Sequence, residues 1–144
     1  MPLPAPRPGL VIRYSYLWRD EADRGREEGT KDRPCVIVLT VETEDGGMTV
    51  RVAPITHTPP DNPADAVEIP SATKRRLNLD DARSWISARE TNVFVWPGPD
   101  IRPIRGKGGA SSYGMIAGDT FRILRDRIIA NIERRRARTT ERSE

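Results

Sequence analysis

The chain has 144 residues, 36% of them hydrophobic and 31% charged, with one cysteine, one histidine and a formal net charge of +3. That length makes a single domain with its own core the expectation. No apolar run approaches the ~20 residues of a membrane-spanning helix. Cys35 cannot form an intrachain disulfide, and MPLPAPRPGL lacks the apolar stretch of a secretory signal, so the expected location is cytoplasmic.

The charge is uneven. Residues 122–144 hold eight arginines and four acids, a net +4, whereas 1–60 are net −1 and 61–121 neutral. A basic C-terminus suits an anionic partner, RNA or an acidic protein, and equally a solvated helix face with a basic tail.

Residues 1–8 alternate proline with small residues and read as a disordered lead-in. The first strand follows at 10–18, LVIRYSYLW. Its alternation places Ile12, Tyr14, Tyr16 and Trp18 on one face. These aromatics suit either base stacking, at about 1–3 kcal/mol per base, or a core or subunit-interface face. Residues 19–32 have no aliphatic side chain larger than alanine and read as an exposed loop.

Cys35–Val41 and Met48–Ile55 are runs rich in Val, Ile and Thr, separated by Glu44-Asp45-Gly46-Gly47. They predict an antiparallel hairpin, and their apolar character on both faces predicts a central one. With Asp45-Gly46 as the turn, Cys35 faces Thr56 and Arg33 faces Thr58; Gly46-Gly47 as the turn shifts the pairing. Either way Arg33, Thr56, His57 and Thr58 gather at the open end.

Residues 57–65 form a turn-rich loop, and Val67–Ile69 a short strand. Ser71 reads as the N-cap of a short helix over Ser71–Leu77, which carries the basic cluster Lys74-Arg75-Arg76. Ser84–Ala88 and Thr91–Trp96 read as strands, ended by Pro97-Gly98-Pro99-Asp100. Residues 101–114 read as a mobile basic loop without phosphate-loop spacing. Asp119 reads as the N-cap of a final helix with Phe121, Leu124, Ile128 and Ile132 on one stripe, widened by Ile123 and Ile129, packing on the barrel or on a second subunit. Arg134-Arg135-Arg136 suits its C-terminus. The expected organisation is one domain over 9–136 and a disordered basic tail over 137–144.

Gly9-Leu10-Val11-Ile12, then Arg33-Pro34-Cys35-Val36-Ile37-Val38, then Val52-Ala53-Pro54-Ile55-Thr56 follow in an order that resembles the PemK/MazF family of toxin endoribonucleases. The resemblance implies a mainly β fold, a small SH3-like antiparallel β-barrel with a C-terminal helix and a short helix in mid-chain. It implies the toxin of a type II toxin–antitoxin pair that cleaves single-stranded mRNA without metal or other cofactor. It also implies a homodimer and an acidic antitoxin partner. The catalytic work would fall on Arg33 and Thr56, and the loop over 19–32 would lie on the substrate groove with Glu28 at the position of the family's acid. Arg26, Lys31 and Thr58, with Tyr14, Tyr16 and Trp18, are the candidate RNA contacts.

The residues fit that chemistry. One histidine and one cysteine cannot assemble a His/Cys zinc set. RNA supplies its own nucleophile, the ribose 2′-hydroxyl, and needs from the protein a base, a proton donor and charge for the phosphoryl oxygens. Arginine provides permanent charge and five donors, threonine a directed hydroxyl. His57, with an imidazole that ordinarily titrates near 6.5, suits proton transfer. The rival readings are a CcdB-like relative that binds gyrase and cuts no RNA, and a non-catalytic RNA- or protein-binding module.

Overall fold

The structure is a computed structural model, which describes residues 3–25 and 31–142. Its strands are β1 (Leu10–Tyr14), β2 (Arg33–Glu42), β3 (Met48–Thr56), β4 (Ala66–Glu68), β5 (Trp85–Ser87), β6 (Glu90–Val95), β7 (Ser112–Met115) and β8 (Arg138–Glu141). Three α-helices, α1 (Arg19–Asp23), α2 (Ser71–Arg76) and α3 (Gly118–Glu133), lie between them. The eight strands form one mainly antiparallel sheet ordered β4-β5-β3-β2-β1-β7, with β6 on β3 and β8 on β6. The β6–β8 pair is parallel. β3 pairs with β6 through Thr49–Val52 and with β5 through Ile55 and Thr56, so the sheet changes partner along its central strand and curls into a small barrel-like body. The sequence reading of a small antiparallel barrel with a short middle helix and a C-terminal helix is the fold observed. No helix among the described residues is long and apolar enough to cross a membrane.

The hairpin β2–β3 is central because both of its faces are buried. On one, Val36, Ala53 and Ile55 pack with Val67 and Ile86 beneath Leu124 and Ile128 of α3. On the other, Cys35, Ile37, Val50 and Val52 pack with Ile12, Tyr14, Tyr16 and Phe94. Each fully buried aliphatic side chain stabilises the fold by about 1.5–3 kcal/mol, which locks the hairpin and fixes where its open end lies.

The register differs from the simple two-residue turn. The loop runs from Thr43 to Gly47, closed by Thr43 N donating to Gly47 O at 3.0 Å, with Gly46 at a φ of +86°. It sets Glu42 opposite Met48, and a bulge between Ile37 and Leu39 moves the pairing once more, so Cys35 faces Pro54. The expected pairs Cys35–Thr56 and Arg33–Thr58 are therefore displaced by two residues, one from the loop and one from the bulge.

Other local expectations are corrected by tertiary contacts. The segment after Trp18 forms α1, because the buried Glu21 turns back and accepts from Trp18 N at 3.2 Å. Ser71 is the first residue of α2, with Pro70 in the N-cap position, and Asp119 lies inside the first turn of α3, with Ala117 in the N-cap position. Part of the expected 101–114 loop is β7, held on β1. On α3, Leu124 and Ile128 are buried, while Ile123, Ile129 and Ile132 are exposed. Asn131 takes the inward place instead, donating to Ala88 O at 2.9 Å and Ala64 O at 3.1 Å.

The expected disordered tail is also structured as far as it is described. β8 pairs with β6, and Arg51 Nη1 pins it by donating to Thr139 Oγ1 at 2.9 Å and Thr91 Oγ1 at 2.7 Å. Arg142 then enters the barrel. It donates to Ser15 O at 2.7 Å and Asn92 Oδ1 at 3.0 Å, and pairs with Asp100 Oδ2 at 3.0 Å.

Candidate functional site

Arg33 opens β2 and Thr56 closes β3, so the locked hairpin sets both at one end of the barrel. A groove of about 710 Å³ lies there, lined by Trp18, Lys31, Arg33, Thr56, His57 and Thr58 together with Arg13, Asp80 and Arg89. Eight of the predicted site residues are described, and six of them line this groove, all but Tyr14 and Tyr16; Glu28 and Arg26 fall outside the described residues.

Arg33 is half-buried. Its Nη1 donates to Ile55 O at 3.4 Å, and its guanidinium lies 5.0 Å from the Trp18 ring centroid, a cation–π contact that orients the fork. Burial lowers its pKa from the usual value, but arginine stays charged in proteins. No described carboxylate lies within salt-bridge distance of it. Its Nε is buried with no hydrogen-bond partner among the described residues. A buried unsatisfied donor costs about 1–3 kcal/mol, and an anionic oxygen bound at this place would relieve that cost.

Thr56 Oγ1 accepts from Thr58 N at 3.2 Å, which shapes the turn out of β3. His57 is exposed, and its Nε2 lies 2.7 Å from Asp80 Oδ2. Partial burial pushes the Asp80 carboxyl up, but hydrogen bonds from Lys74 and His57, with their charges, outweigh it and hold the group below the usual range. The other groove acids are also engaged. Asp32 lies 3.8 Å from Arg13 and 3.6 Å from Arg102, and Asp65 lies 2.9 Å from Arg136 and 3.8 Å from Arg89. Among the described residues this leaves the cations Lys31 and Arg33 facing the groove. Among the described residues no group of three His, Cys, Asp or Glu side chains could hold a metal ion.

Two predicted contacts are corrected. Tyr14 and Tyr16 are 0% and 1% exposed, and Tyr14 stacks on Phe94 at 4.7 Å between centroids. They are core residues, because the face they share lies against β6 and cannot receive a base. Trp18, at the end of the same aromatic series, is half-buried on the groove and keeps its candidacy. Cys35 is no nucleophile: it is fully buried, and burial pushes its thiol up.

Sequence reasoning missed Arg13, Arg89 and Asp80. Asp80 lies 23 residues from His57, and no spacing rule joins them. Arg89 stood in a segment read simply as a break between strands; its Nη2 donates to Arg136 O at 3.2 Å, which draws it to the groove wall.

A small antiparallel barrel whose central hairpin ends in an open groove, with an arginine fork and a threonine at its mouth, defines a compact β-barrel protein with one lined groove at the hairpin's open end. Residues 16–94 match the family of PemK-like, MazF-like toxins of type II toxin–antitoxin systems, and the chain belongs to that family. The match spans the hairpin, α2, β4 and β5, and β6 as far as Phe94. Membership in a type II toxin family implies an antitoxin as partner. No curated protein matches the sequence.

Proposed function

We propose that this toxin is a metal-independent endoribonuclease of the cytoplasm that cleaves single-stranded mRNA at a short sequence. The observation that carries the reading is Arg33: a charged fork held over Trp18 at the mouth of the groove, beside Thr56, with a buried Nε that lacks a partner among the described residues. Single-stranded RNA suits an open groove because its bases can be splayed and read.

In this reading Arg33 donates to the phosphoryl oxygens as charge builds on them, and the Thr56 hydroxyl adds a hydrogen bond. The ribose 2′-oxygen bonds to phosphorus and the P–O5′ bond breaks, leaving a 2′,3′-cyclic phosphate and a 5′-hydroxyl. Glu28 is the candidate base for the 2′-hydroxyl proton, and His57 the proton donor to O5′. Lys31, Arg26, Thr58 and Trp18 hold the flanking nucleotides. The antitoxin is an acidic segment that competes for the same groove. A homodimer belongs to the same reading. Val41 and Val95 flank Thr49 in one cross-strand row with Leu39 beside them, an exposed apolar set that a second copy would cover. Sedimentation should return twice the 16.2 kDa of one chain.

The test is cleavage of a long unstructured RNA by wild type and Arg33→Ala. Loss of a charged donor to the transition state costs about 10²–10³ in rate. An Arg33→Ala protein that is folded and cuts at the wild-type rate contradicts the assignment.

A further inference from the structure

Lys74 lies on α2 between the buried Thr73 and the exposed Arg75, and only 7% of its side chain is exposed. A buried ammonium is costly unless its protons are satisfied. Here Asp80 Oδ1 lies at 2.8 Å, Ser84 Oγ at 2.7 Å, and the Ala82 carbonyl accepts the third hydrogen bond. All three acceptors come from the turn over 80–84, and Asp80 Oδ1 tightens it further by accepting from Ala82 N at 3.2 Å. The turn therefore holds one carboxylate oxygen inward and leaves the other, Oδ2, against His57 Nε2 at 2.7 Å. An isolated surface pair of two half-exposed side chains fixes little; this one has its carboxylate anchored on a buried cation.

We propose that Asp80, anchored by Lys74, is a positioning residue that holds the His57 ring by Nε2 and so presents Nδ1 for proton transfer to the RNA. The role rests on the ribonuclease reading. Nδ1 carries no hydrogen bond to a described residue. In the cleavage step Nδ1 gives its proton to O5′ as the P–O5′ bond breaks, while the 2′-hydroxyl proton passes to the separate base. The ring ends neutral, keeps Nε2–H on Asp80, and regains its proton from water. Neither oxidant nor metal enters. The charged groups that share the groove with the ring are Asp80, Lys31, Asp32, Arg33, Arg13, Arg89 and Asp65, with Lys74 bonded to Asp80.

The experiment measures kcat and KM across pH for wild type, Asp80→Ala, Asp80→Asn, His57→Ala and the double variant His57→Ala/Asp80→Ala. Removal of a general acid costs about 10²–10⁴ in rate; loss of its positioning carboxylate is expected to cost less, roughly ten- to a hundredfold. That loss falls on kcat, with KM nearly unchanged. The alkaline limb of the profile disappears in His57→Ala. The double variant is no slower than His57→Ala alone, because the two residues act as one unit. If Asp80→Ala disturbs the turn, Asp80→Asn retains an acceptor for Lys74 and repeats the test. Losses that multiply in the double variant, or Asp80 variants whose loss falls on KM with kcat unchanged, overturn the role while leaving the nuclease standing. A folded wild type that cuts no RNA removes the nuclease reading, and this role with it.

Discussion

Replacing Arg142 with alanine should unravel the end of the chain and destabilise the whole barrel. The Arg142 side chain is 1% exposed and Asp100 10%, so their 3.0 Å contact is a buried ion pair. Breaking such a pair from one side costs about 3–5 kcal/mol, because the remaining charge stays buried without its partner. Two features place this case at the low end. Arg102 Nη2 lies 3.9 Å from the other Asp100 oxygen, and Asn92 Oδ1 keeps the hydrogen bond from Leu17 N at 2.9 Å. Against that, Ser15 O loses the donor it has at 2.7 Å. The expected loss is about 3 kcal/mol. With a urea slope of about 1–3 kcal/mol per molar, the unfolding midpoint falls by roughly 1–3 M. The assay is urea unfolding followed by tryptophan fluorescence, and Arg142→Met/Asp100→Leu should recover most of the loss, since no lone charge remains. An Arg142→Ala midpoint equal to that of wild type would refute the reasoning and return residues 138–142 to a dispensable tail.

Three further outcomes follow from the same geometry. Cys35 should resist thiol reagents at neutral pH in the folded protein and react only on unfolding, because it is fully buried and burial pushes its thiol up; rapid labelling of the native chain would contradict this. The Asp80 carboxyl is depressed in the fold, so its contribution to stability is complete above its unfolded value near 3.9 and is lost as pH falls through the lower folded value. The stability gap between wild type and Asp80→Asn should therefore narrow below about pH 4, and a gap that widens with acid would reverse the sign. Ile37→Ala, at a fully buried position on β2, should cost about 2–5 kcal/mol in thermal or urea unfolding.

The hairpin was legible because Val, Ile and Thr runs bounded by Asp-Gly-Gly carry a local signal, and the stripe over Leu124 and Ile128 revealed α3 in the same way. Local signals fix element type but not register: the loop over 43–47 and the bulge near Val38 each shift the pairing by one residue, so Cys35 faces Pro54 instead of Thr56. Tyr14 and Tyr16 shared a face with Trp18 as the alternation required. Which of them met solvent was decided far along the chain, by Phe94 stacked on Tyr14 and by Glu90, which accepts from the Tyr16 hydroxyl. Arg142 illustrates the same limit. By composition it belongs to a basic tail, and it is buried because Asp100 and Asn92 wait for it inside the barrel. At the site, Arg33, Thr56 and His57 were readable from the hairpin ends, whereas Asp80 and Lys74 were not, because a turn stabilised by a buried ammonium leaves no periodic trace in sequence.

The most direct test is the chemistry of the cut itself. An RNA carrying a mapped cleavage site, incubated with wild-type protein in EDTA, is compared with the same RNA bearing a single 2′-deoxyribose on the 5′ side of that site. Cleavage of the first to 2′,3′-cyclic phosphate and 5′-hydroxyl ends, with the second left intact, is the predicted result. Cutting of the deoxy substrate, or products with 5′-phosphate ends, would show that water and not the ribose is the nucleophile, and would contradict the account.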